Sequence, residues 1–299
     1  MTSPSRFFLT GCASGIGRHL ADVLIAEGHH VFATDVDEPA MRAHADDLAS
    51  RPSGPGGHAA ASGEQATSAE GWPAHRVFIR HLDVRDDLAW ARVFSEAVRT
   101  MGAVDVLINV AGYLLPGYVG DFDAASVHRH LDVNTKGVIF GTHTAARHMV
   151  ERGQGHIVNI ASLAALAPVP GISLYSASKY AVRAFSLAAA TELRPRGVAV
   201  SVVCPDAVQT PMLDMQVGYR EAALTFSGAR VLTVHDVVDA VVRRVLPRRP
   251  LELHLPRSRA LLARLADLFP RTGMWLAPLL DRKGRARQRV LQNERARKP

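Results

Sequence analysis

A tyrosine and a lysine lie one helical turn apart in the segment Tyr175-Ser176-Ala177-Ser178-Lys179. Residues at positions i and i+4 share one face of a helix, so an ammonium is expected beside a phenol whose unperturbed pKa is about 10. A nearby positive charge favours the phenolate, which predicts a Tyr175 able to transfer a proton near neutral pH. An exposed helix face would give the same spacing, so the neighbouring motifs must decide between the two interpretations.

The N-terminal segment predicts a nucleotide site. Residues 6–10 are typical of a buried strand, and they run into Gly11-Cys12-Ala13-Ser14-Gly15-Ile16-Gly17 and then an amphipathic helix to about Glu27. Glycines permit a tight turn and a close approach to pyrophosphate, which the free N–H groups and dipole of a helix N-terminus attract. The spacing differs from the commoner Gly-x-Gly-x-x-Gly, so a plain glycine-rich turn is the alternative.

The second predicted strand, residues 30–34, ends at Asp35, 18 residues beyond Gly17. A carboxylate about 20 residues beyond the last glycine binds the ribose hydroxyls of NAD and repels the 2′-phosphate of NADP. Neither Ser14 nor Val36 supplies a cation for that phosphate. The sequence therefore predicts NAD over NADP, the alternative being an aspartate that caps the turn before Pro39.

Further motifs follow in chain order: Asp83-Val84 after the third strand, Asn109-Val110-Ala111-Gly112 after the fourth, then Asn134, Ser162, Tyr175, Lys179 and Pro205-x-x-Val208-x-Thr210. Together with Thr10-Gly11-x-x-x-Gly15-Ile16-Gly17, this series resembles the short-chain dehydrogenase/reductase family over roughly residues 6–255. The resemblance implies a single doubly wound domain that transfers a hydride to or from a nicotinamide cofactor.

The resemblance assigns Asn134, Ser162, Tyr175 and Lys179 as a catalytic tetrad. Tyr175 would exchange the hydroxyl proton, Ser162 would hydrogen-bond the substrate oxygen, and Lys179 would hold the nicotinamide ribose. Asn134 would order a water that links Lys179 to solvent. With the glycine turn and Asp35, the resemblance gives a cofactor-binding set of Gly11, Ser14, Gly15, Ile16, Gly17, Asp35, Asp83, Val84, Asn109, Ala111, Gly112, Tyr175, Lys179, Pro205, Val208 and Thr210.

Two positions depart from the family pattern. Val110 replaces the usual alanine and keeps a small apolar side chain. Asp206 stands where the family usually has glycine after Pro205. Aspartate tolerates left-handed backbone geometry better than most residues, so the turn is expected to survive. We interpret Asp206 as a solvated or turn-capping residue, with a functional carboxylate near the substrate as the alternative.

Length and composition fit one α/β domain. The chain has 299 residues, of which 47% are hydrophobic. Predicted strands near 30–35, 77–82, 104–109, 155–161, 198–204 and 250–254 alternate with helices, which indicates a parallel sheet with helices on both faces. We assign residues 1–255 to this domain, residues 50–74 to a flexible surface insertion, and residues 256–299 to a basic amphipathic C-terminal extension.

Other features set expectations on metals and location. Cys12 and Cys204 show no metal-ligand or redox spacing, and the 14 histidines also lack ligand spacing, so no metal site is predicted. The start of the chain carries no secretory pattern. A cytoplasmic protein is expected, with peripheral contact at the inner membrane surface as an option.

The C-terminal part of the chain, including the extension, carries its excess of positive charge. From Arg243 onward there are sixteen Lys and Arg residues against four Asp and Glu, whereas the whole chain has a net charge of only +7. Apolar residues recur at helical spacing over 261–269 and 274–280, but Arg264, Asp267 and Pro270 interrupt any membrane span. Three interpretations remain: a helix packed on the body or a partner subunit, an element lying on anionic lipid, and nucleic-acid binding, which no recognition motif supports.

The function predicted from these features is an NAD-dependent interconversion of a secondary alcohol and a ketone. Apolar residues between Ser162 and Tyr175 (Ala164, Leu166, Pro168, Val169, Leu174) and a mobile lid over 212–226 favour a lipophilic substrate such as a steroid, retinoid or fatty-acyl-like molecule. A catalytically weak nucleotide sensor or scaffold of the same fold is the alternative. Helices over 126–151 and 174–193 match the pair through which the family dimerises, so a homodimer or homotetramer is expected.

Overall fold

Seven strands form one sheet in the computed structural model, which describes residues 4–50, 72–73 and 75–296. They are β1 (Arg6–Thr10), β2 (His30–Asp35), β3 (Val77–His81), β4 (Val106–Asn109), β5 (Gly155–Ile160), β6 (Val198–Pro205) and β7 (Glu252–Leu255). The strand order is β3-β2-β1-β4-β5-β6-β7, and every pairing is parallel. The predicted doubly wound parallel sheet is confirmed.

Helices connect the strands and cover the sheet. They are α1 (Gly15–Ala26), α2 (Glu38–Ser50), α3 (Asp87–Met101), α4 (Ala124–Leu131), α5 (Gly137–Glu151), α6 (Ser173–Leu193), α7 (Pro211–Gln216), α8 (Val234–Ala240), α9 (Leu246–Arg248), α10 (Arg257–Leu268) and α11 (Pro270–Ala296). A π-helical turn, Asp132–Lys136, joins α4 to α5, so helical backbone runs from 124 to 151.

The core lies on both faces of the sheet because successive strand residues point to opposite sides. On β1, Leu9 packs in a cluster with Leu20 of α1, whereas Phe8 packs in the opposite cluster with Trp90 of α3. The rings of Phe8 and Trp90 stack with centroids 5.6 Å apart. Helices on both faces therefore bury the sheet, as the predicted architecture requires.

A crevice opens at the carboxyl ends of β1 and β4, where the strand order reverses direction. Open parallel sheets bind ligands at such a switch point. Thr10, the last residue of β1, holds the two strand ends together. Its Oγ1 accepts hydrogen bonds from the backbone N–H groups of Val110 and Ala111, at 3.0 and 3.1 Å.

Helix α10 packs against the body of the domain. The Tyr180 hydroxyl on α6 donates a hydrogen bond of 2.9 Å to Asp267 Oδ1. The Arg264 guanidinium pairs with Glu252 Oε2 of β7 at 3.0 Å. Glu252 also accepts from Arg183 of α6 at 2.6 Å. These contacts fix α10 beside α6 and β7.

The second half of α11 packs on the 3₁₀ turn Arg220–Ser227. A Cβ atom on Gly284 would stand 1.9 Å from the carbonyl oxygen of Ala223, so only glycine permits this approach. Packing on the body, one of the three interpretations of the extension, is thus what the structure shows for this half.

None of the described helices combines the length and apolar character that a bilayer crossing needs. The predicted insertion, 50–74, lies outside the described residues apart from 50, 72 and 73.

Candidate active site

Tyr175 and Lys179 lie in the first two turns of α6, which begins at Ser173. The Lys179 Nζ is 5.6 Å from the centroid of the Tyr175 ring. It donates a hydrogen bond of 2.9 Å to the carbonyl oxygen of Ile160, the last residue of β5. The helix therefore presents phenol and ammonium together at the carboxyl end of the sheet, as their spacing predicts.

The expected lowering of the Tyr175 pKa is wrong for the protein on its own. Burial raises the pKa of the phenol to about 12, and a hydrogen bond with Ser162 offsets only part of that rise. Burial also lowers the pKa of Lys179 to about 8. The prediction failed because it counted the ammonium charge but not the desolvation of both groups. At neutral pH Tyr175 is a phenol with a proton to donate.

Ser162 follows β5 and begins the short 3₁₀ turn Leu163–Ala165. Its Oγ accepts a hydrogen bond of 3.1 Å from the N–H of Ala164. Ser162 acts on the Tyr175 phenol by lowering its pKa, and both side chains line the same crevice.

Asn134 lies in the π-helical turn between α4 and α5, and such turns often occur at functional sites. Its Oδ1 accepts from the N–H of Tyr113 at 2.7 Å, and its Nδ2 donates to the carbonyl oxygen of Tyr113 at 2.8 Å and to Ser178 Oγ at 2.9 Å. A Cβ atom on Gly112 would be 3.5 Å from Asn134 Oδ1 and 3.7 Å from Lys179 Nζ. Asn134 is therefore held by the Tyr113 backbone and the Ser178 hydroxyl, and both its Oδ1 and the Lys179 Nζ lie close to Gly112.

Two glycines of the turn, Gly11 and Gly17, lie where a side chain has no room. A Cβ atom on Gly17 would be 2.1 Å from the Gly11 carbonyl oxygen, and one on Gly11 would be 2.8 Å from the Ala111 nitrogen. Gly15 has a φ of +56°, which favours glycine. Ser14 precedes α1 without a side-chain hydrogen bond to its first turn, so those N–H groups are available to an anion. This cradle fits a dinucleotide pyrophosphate.

Asp35 ends β2 at the edge of the same crevice. Its Oδ2 accepts from the N–H of Ala13 at 3.0 Å, and its Oδ1 accepts from the N–H of Asp37 at 3.0 Å. These bonds fix the carboxylate and leave lone pairs for ribose hydroxyls. Asp83 is held differently, because Arg85 donates to both of its oxygens at 2.6 to 3.0 Å and lowers its pKa.

A cleft of about 760 Å³ brings most of the predicted site residues together. Asn109 and Asn134 are the two that do not line it. Asn109 is buried behind the cleft, where its Nδ2 donates to Asn159 at 2.8 Å. The predicted residues that line the cleft are Gly11, Ser14, Gly15, Ile16, Gly17, Asp35, Asp83, Val84, Ala111, Gly112, Ser162, Tyr175, Lys179, Pro205, Val208 and Thr210.

The interpretation of Asp206 as a solvated residue is wrong. Its side chain is 12% exposed, and its Oδ2 lies 2.6 Å from Nε of Arg259 on α10. Arg249 is the one non-glycine residue with positive φ in the described part of the chain, so Asp206 needs no left-handed backbone. Arg259 also donates to Ser227 Oγ at 3.1 Å. Asp206 and Arg259 both line the cleft.

Sequence reasoning missed the part of the cleft that the C-terminal extension builds. Arg259 and Ala263 of α10 line it beside Leu224 and Thr225. The unexplained carboxylate at position 206 was a signal that a cation had to lie nearby, but its position in the chain could not be read from the sequence.

The apolar residues predicted to surround the substrate divide between cleft and core. Ala164 and Val169 line the cleft, whereas Leu166 is buried in a core cluster and Leu174 lines a separate, smaller pocket. In the predicted lid, Met212, Leu213, Gln216, Leu224 and Thr225 line the cleft. The cleft wall is thus mixed, because apolar side chains and the ion pairs Asp83–Arg85 and Asp206–Arg259 all line it.

The helix α11 fastens the predicted lid from outside. Gln288 donates through Nε2 to the carbonyl oxygens of Gln216 and Tyr219, at 3.2 and 2.9 Å. Gln292 donates to the carbonyl oxygen of Val217 at 2.8 Å, and Arg287 donates to that of Gly228 at 2.8 Å. The segment over the cleft is therefore held by side chains from the end of the chain.

One cluster in the described residues has metal-ligand chemistry. Potential ligand atoms of Cys204, Glu252 and His254 lie within 4.8 Å of one another. Glu252 is already paired with Arg183 and Arg264, and burial raises the pKa of the Cys204 thiol to about 12. Because two guanidinium groups neutralise the carboxylate and the thiol keeps its proton, the cluster does not fit a metal ion.

Solved structures share this fold. A short-chain dehydrogenase/reductase from Burkholderia phymatum in complex with NAD is 24% identical, with a TM-score of 0.72 over 88% of this chain and 92% of its own. The protein ElxO with bound NADP is 21% identical, with a TM-score of 0.70 over 84% of this chain and 97% of its own. Neighbours of this fold thus bind either nicotinamide cofactor.

The sequence matches known proteins as well. The profile of the short chain dehydrogenase family matches residues 56–218. A 3-beta-hydroxysteroid dehydrogenase from Comamonas testosteroni is 31% identical over 250 residues, which cover 83% of this chain and 85% of the relative. The chain therefore belongs to the short-chain dehydrogenase family and is an oxidoreductase.

Proposed function

We propose that the protein is an NAD-dependent dehydrogenase that interconverts a secondary alcohol and a ketone on a lipophilic substrate. The observation that carries the proposal is the meeting of Tyr175, Ser162 and Lys179 at the carboxyl ends of the strands, beside the glycine cradle. The family relationship and the similarity to a hydroxysteroid dehydrogenase support it.

Tyr175 acts as the general acid and base. Its phenol is protonated at neutral pH, so it donates a proton to a ketone oxygen during reduction and must lose that proton before it accepts one from an alcohol. Ser162 donates a second hydrogen bond to the same oxygen and holds the substrate against the phenol. The bound nicotinamide supplies or accepts the hydride.

Lys179 orients the cofactor and adjusts the phenol. Its Nζ keeps donors beyond the one that bonds Ile160, and these would hold the nicotinamide ribose. While it is protonated, the charge also favours the phenolate of Tyr175. Asn134 stands beside Lys179 and holds a water between the ammonium and solvent. Val208 and Thr210 line the cleft and would contact the nicotinamide carboxamide, as the family resemblance implies.

Asp35 gives the preference for NAD. A fixed carboxylate accepts hydrogen bonds from both ribose hydroxyls and repels a 2′-phosphate. Arg85 also lines the cleft, and its guanidinium is paired with Asp83. We expect Asp35→Ala to narrow the difference between the Kd values of NAD and NADP, whereas Asp46→Asn, at an exposed position of α2 that does not line the cleft, leaves it unchanged. Equal affinity of the parent protein for both cofactors would contradict this assignment.

The assembly proposed is a homodimer or homotetramer formed through the α4–α5 run and α6. Ala184 and Ala188 are exposed on α6, where small side chains let a partner helix approach closely. Leu131 on the neighbouring run is 39% exposed. Light scattering at micromolar concentration tests the assembly, and a monomer would contradict it.

A panel of secondary alcohols tests the reaction. The purified protein is mixed with NAD and each alcohol, hydroxysteroids included, and NADH absorbance is followed. The proposal predicts turnover with apolar cyclic alcohols. The alternative of a nucleotide sensor or scaffold predicts NAD binding with no NADH from any of them. The ketone products with NADH give the reverse reaction as a check on the same chemistry.

A further inference from the structure

Large apolar side chains are concentrated on the outside of the C-terminal extension. Of the seventeen large apolar residues exposed in the described part of the chain, ten lie between 261 and 280. We name this set the α10–α11 apolar surface, and it consists of Leu261, Leu262, Leu265, Leu268, Phe269, Met274, Trp275, Leu276, Leu279 and Leu280. Single exposed apolar side chains are normal, but such a concentration of them marks a site of contact with a protein or a membrane.

The surface is built on helices that the body holds in place. On α10, Leu261, Leu265 and Leu268 recur at helical spacing, while Ala260 on the other side is buried. On α11, Trp275 and Leu279 are one turn apart and are 81% and 65% exposed. The fixed position of α10 beside α6 and β7 leaves this face directed outward.

Exposed cations occur in the same part of the chain as the apolar side chains. Arg257, Arg271, Arg282 and Lys283 are exposed, and none of them has an ion-pair partner among residues 4–50, 72–73 and 75–296. The nearby carboxylates are already engaged, because Asp281 pairs with Arg285 at 2.6 Å and Asp267 accepts from Tyr180. The helices α10 and α11 therefore combine exposed apolar side chains with exposed cations that no described carboxylate pairs.

We propose that the α10–α11 apolar surface docks on a lipid bilayer that contains anionic headgroups. Leucines, Phe269 and Trp275 enter the boundary between headgroups and acyl chains, and the four cations contact the headgroups. A second copy of this chain is a poorer occupant. A two-fold contact through this face would bring the same uncompensated cations together.

The docked helix is also a wall of the cleft. Arg259 and Ala263 of α10 line the cleft, and Leu261, Leu262 and Leu265 lie on the membrane side of the same helix. An apolar molecule dissolved in the bilayer would therefore meet the protein beside the cleft. This consequence rests on the proposed lipophilic substrate, whereas bilayer docking itself does not depend on the reaction.

Co-sedimentation of the full chain with vesicles tests the proposal without cofactor or substrate. We expect binding to vesicles of phosphatidylcholine and phosphatidylglycerol, weaker binding to phosphatidylcholine alone, and release as salt rises. Trp275→Ser with Leu279→Ser should weaken binding at least about tenfold. Arg271→Gln and Arg282→Gln should each weaken it about fivefold.

The matched control removes apolar side chains of equal exposure elsewhere. Leu88 and Val119 are 76% and 74% exposed, and Leu88→Ser with Val119→Ser should bind vesicles like the parent protein. Circular dichroism and NAD binding check that each variant is folded. Failure of the intact chain to bind anionic vesicles would overturn the proposal. An equal loss of vesicle binding in the control would overturn it as well. Dissociation of an oligomer by the Trp275 and Leu279 changes would also overturn it, because it would assign the surface to a second copy of the chain.

Discussion

Asp206 and Arg259 form an ion pair with a distance of 2.6 Å between Oδ2 and Nε, at the point where β6 leaves the sheet. The pair joins the strand end that carries Pro205 to a helix of the C-terminal extension. Burial raises the pKa of Asp206, and Arg259 opposes that rise. A residue that departs from the family pattern is thus explained by a partner that the extension brings to it.

Removing Arg259 should leave the Asp206 carboxylate buried without its charge partner. We expect Arg259→Met to lower the free energy of unfolding by about 1–3 kcal/mol. Combining it with Asp206→Ala should restore much of that loss, because no buried charge is then left uncompensated. Urea denaturation measures both. A control is Arg42→Met, which breaks an exposed ion pair with Glu38 and should cost less than about 1 kcal/mol.

The packing of α11 on the lid should depend on the absence of a side chain at Gly284. We expect Gly284→Val to push α11 away from Ala223, lower the free energy of unfolding by about 1–3 kcal/mol and raise KM for the substrate. Gly273→Ala is the matched control in the same helix, since its Cβ would make an ordinary contact of 3.5 Å with Ala266. Equal stability and KM in all three proteins would show that α11 does not hold the lid.

The fold could be predicted from the sequence because the patterns that indicate its strands and helices are local. The strand, glycine turn and helix at residues 6–26, and the alternation of strands and helices after them, each depend on short-range spacing. The positions of α10 and α11 depend on contacts such as Arg259 with Asp206 and Gln288 with Gln216, across 53 and 72 residues. No periodicity predicts such contacts.

The candidate site was predictable only in part. Tyr175, Ser162 and the glycine turn were found by spacing and by family resemblance, and the structure brings them to one cleft. The raised pKa of Tyr175 could not be predicted from the sequence, because desolvation depends on what surrounds a group in three dimensions. The roles assigned to the tetrad and the cofactor-binding residues remain predictions.

Acid should weaken the contact between β1 and the end of α5. Burial alone would raise the pKa of Asp105, but hydrogen bonds from Arg6 and Arg152 outweigh it and lower the pKa to about 2. The unfolded chain, with an aspartate pKa of about 3.9, binds more protons between these values. The stabilisation is therefore complete above about pH 4 and is lost as pH falls through about 2.

Urea denaturation across this pH range checks the effect. Asp105→Asn should remove about 1 kcal/mol of acid-dependent stability, a value reduced for solvent screening because the side chain is partly exposed. The exposed Asp46→Asn change should leave the pH dependence as it is in the parent protein. An unchanged profile in Asp105→Asn would refute the assignment.

The pH dependence of turnover should differ between the two directions. A phenol with a raised pKa still carries its proton near neutral pH and loses it only in the alkaline range, so kcat/KM for ketone reduction should be highest near neutral pH. By contrast, kcat/KM for alcohol oxidation should increase as pH rises into the alkaline range, because the phenolate forms there. Initial rates in both directions across pH measure this, and parallel profiles would argue against a single tyrosine serving both.

The most direct measurement compares Tyr175→Phe with Tyr180→Phe in the alcohol assay. Both changes remove one phenolic oxygen from α6, but the Tyr180 hydroxyl bonds Asp267 outside the cleft. We predict that Tyr175→Phe binds NAD(H) nearly as the parent does and loses at least about a hundredfold in kcat, while Tyr180→Phe keeps near-parental turnover. Activity of Tyr175→Phe within a few-fold of the parent would contradict the assignment of Tyr175 as the proton-transfer residue.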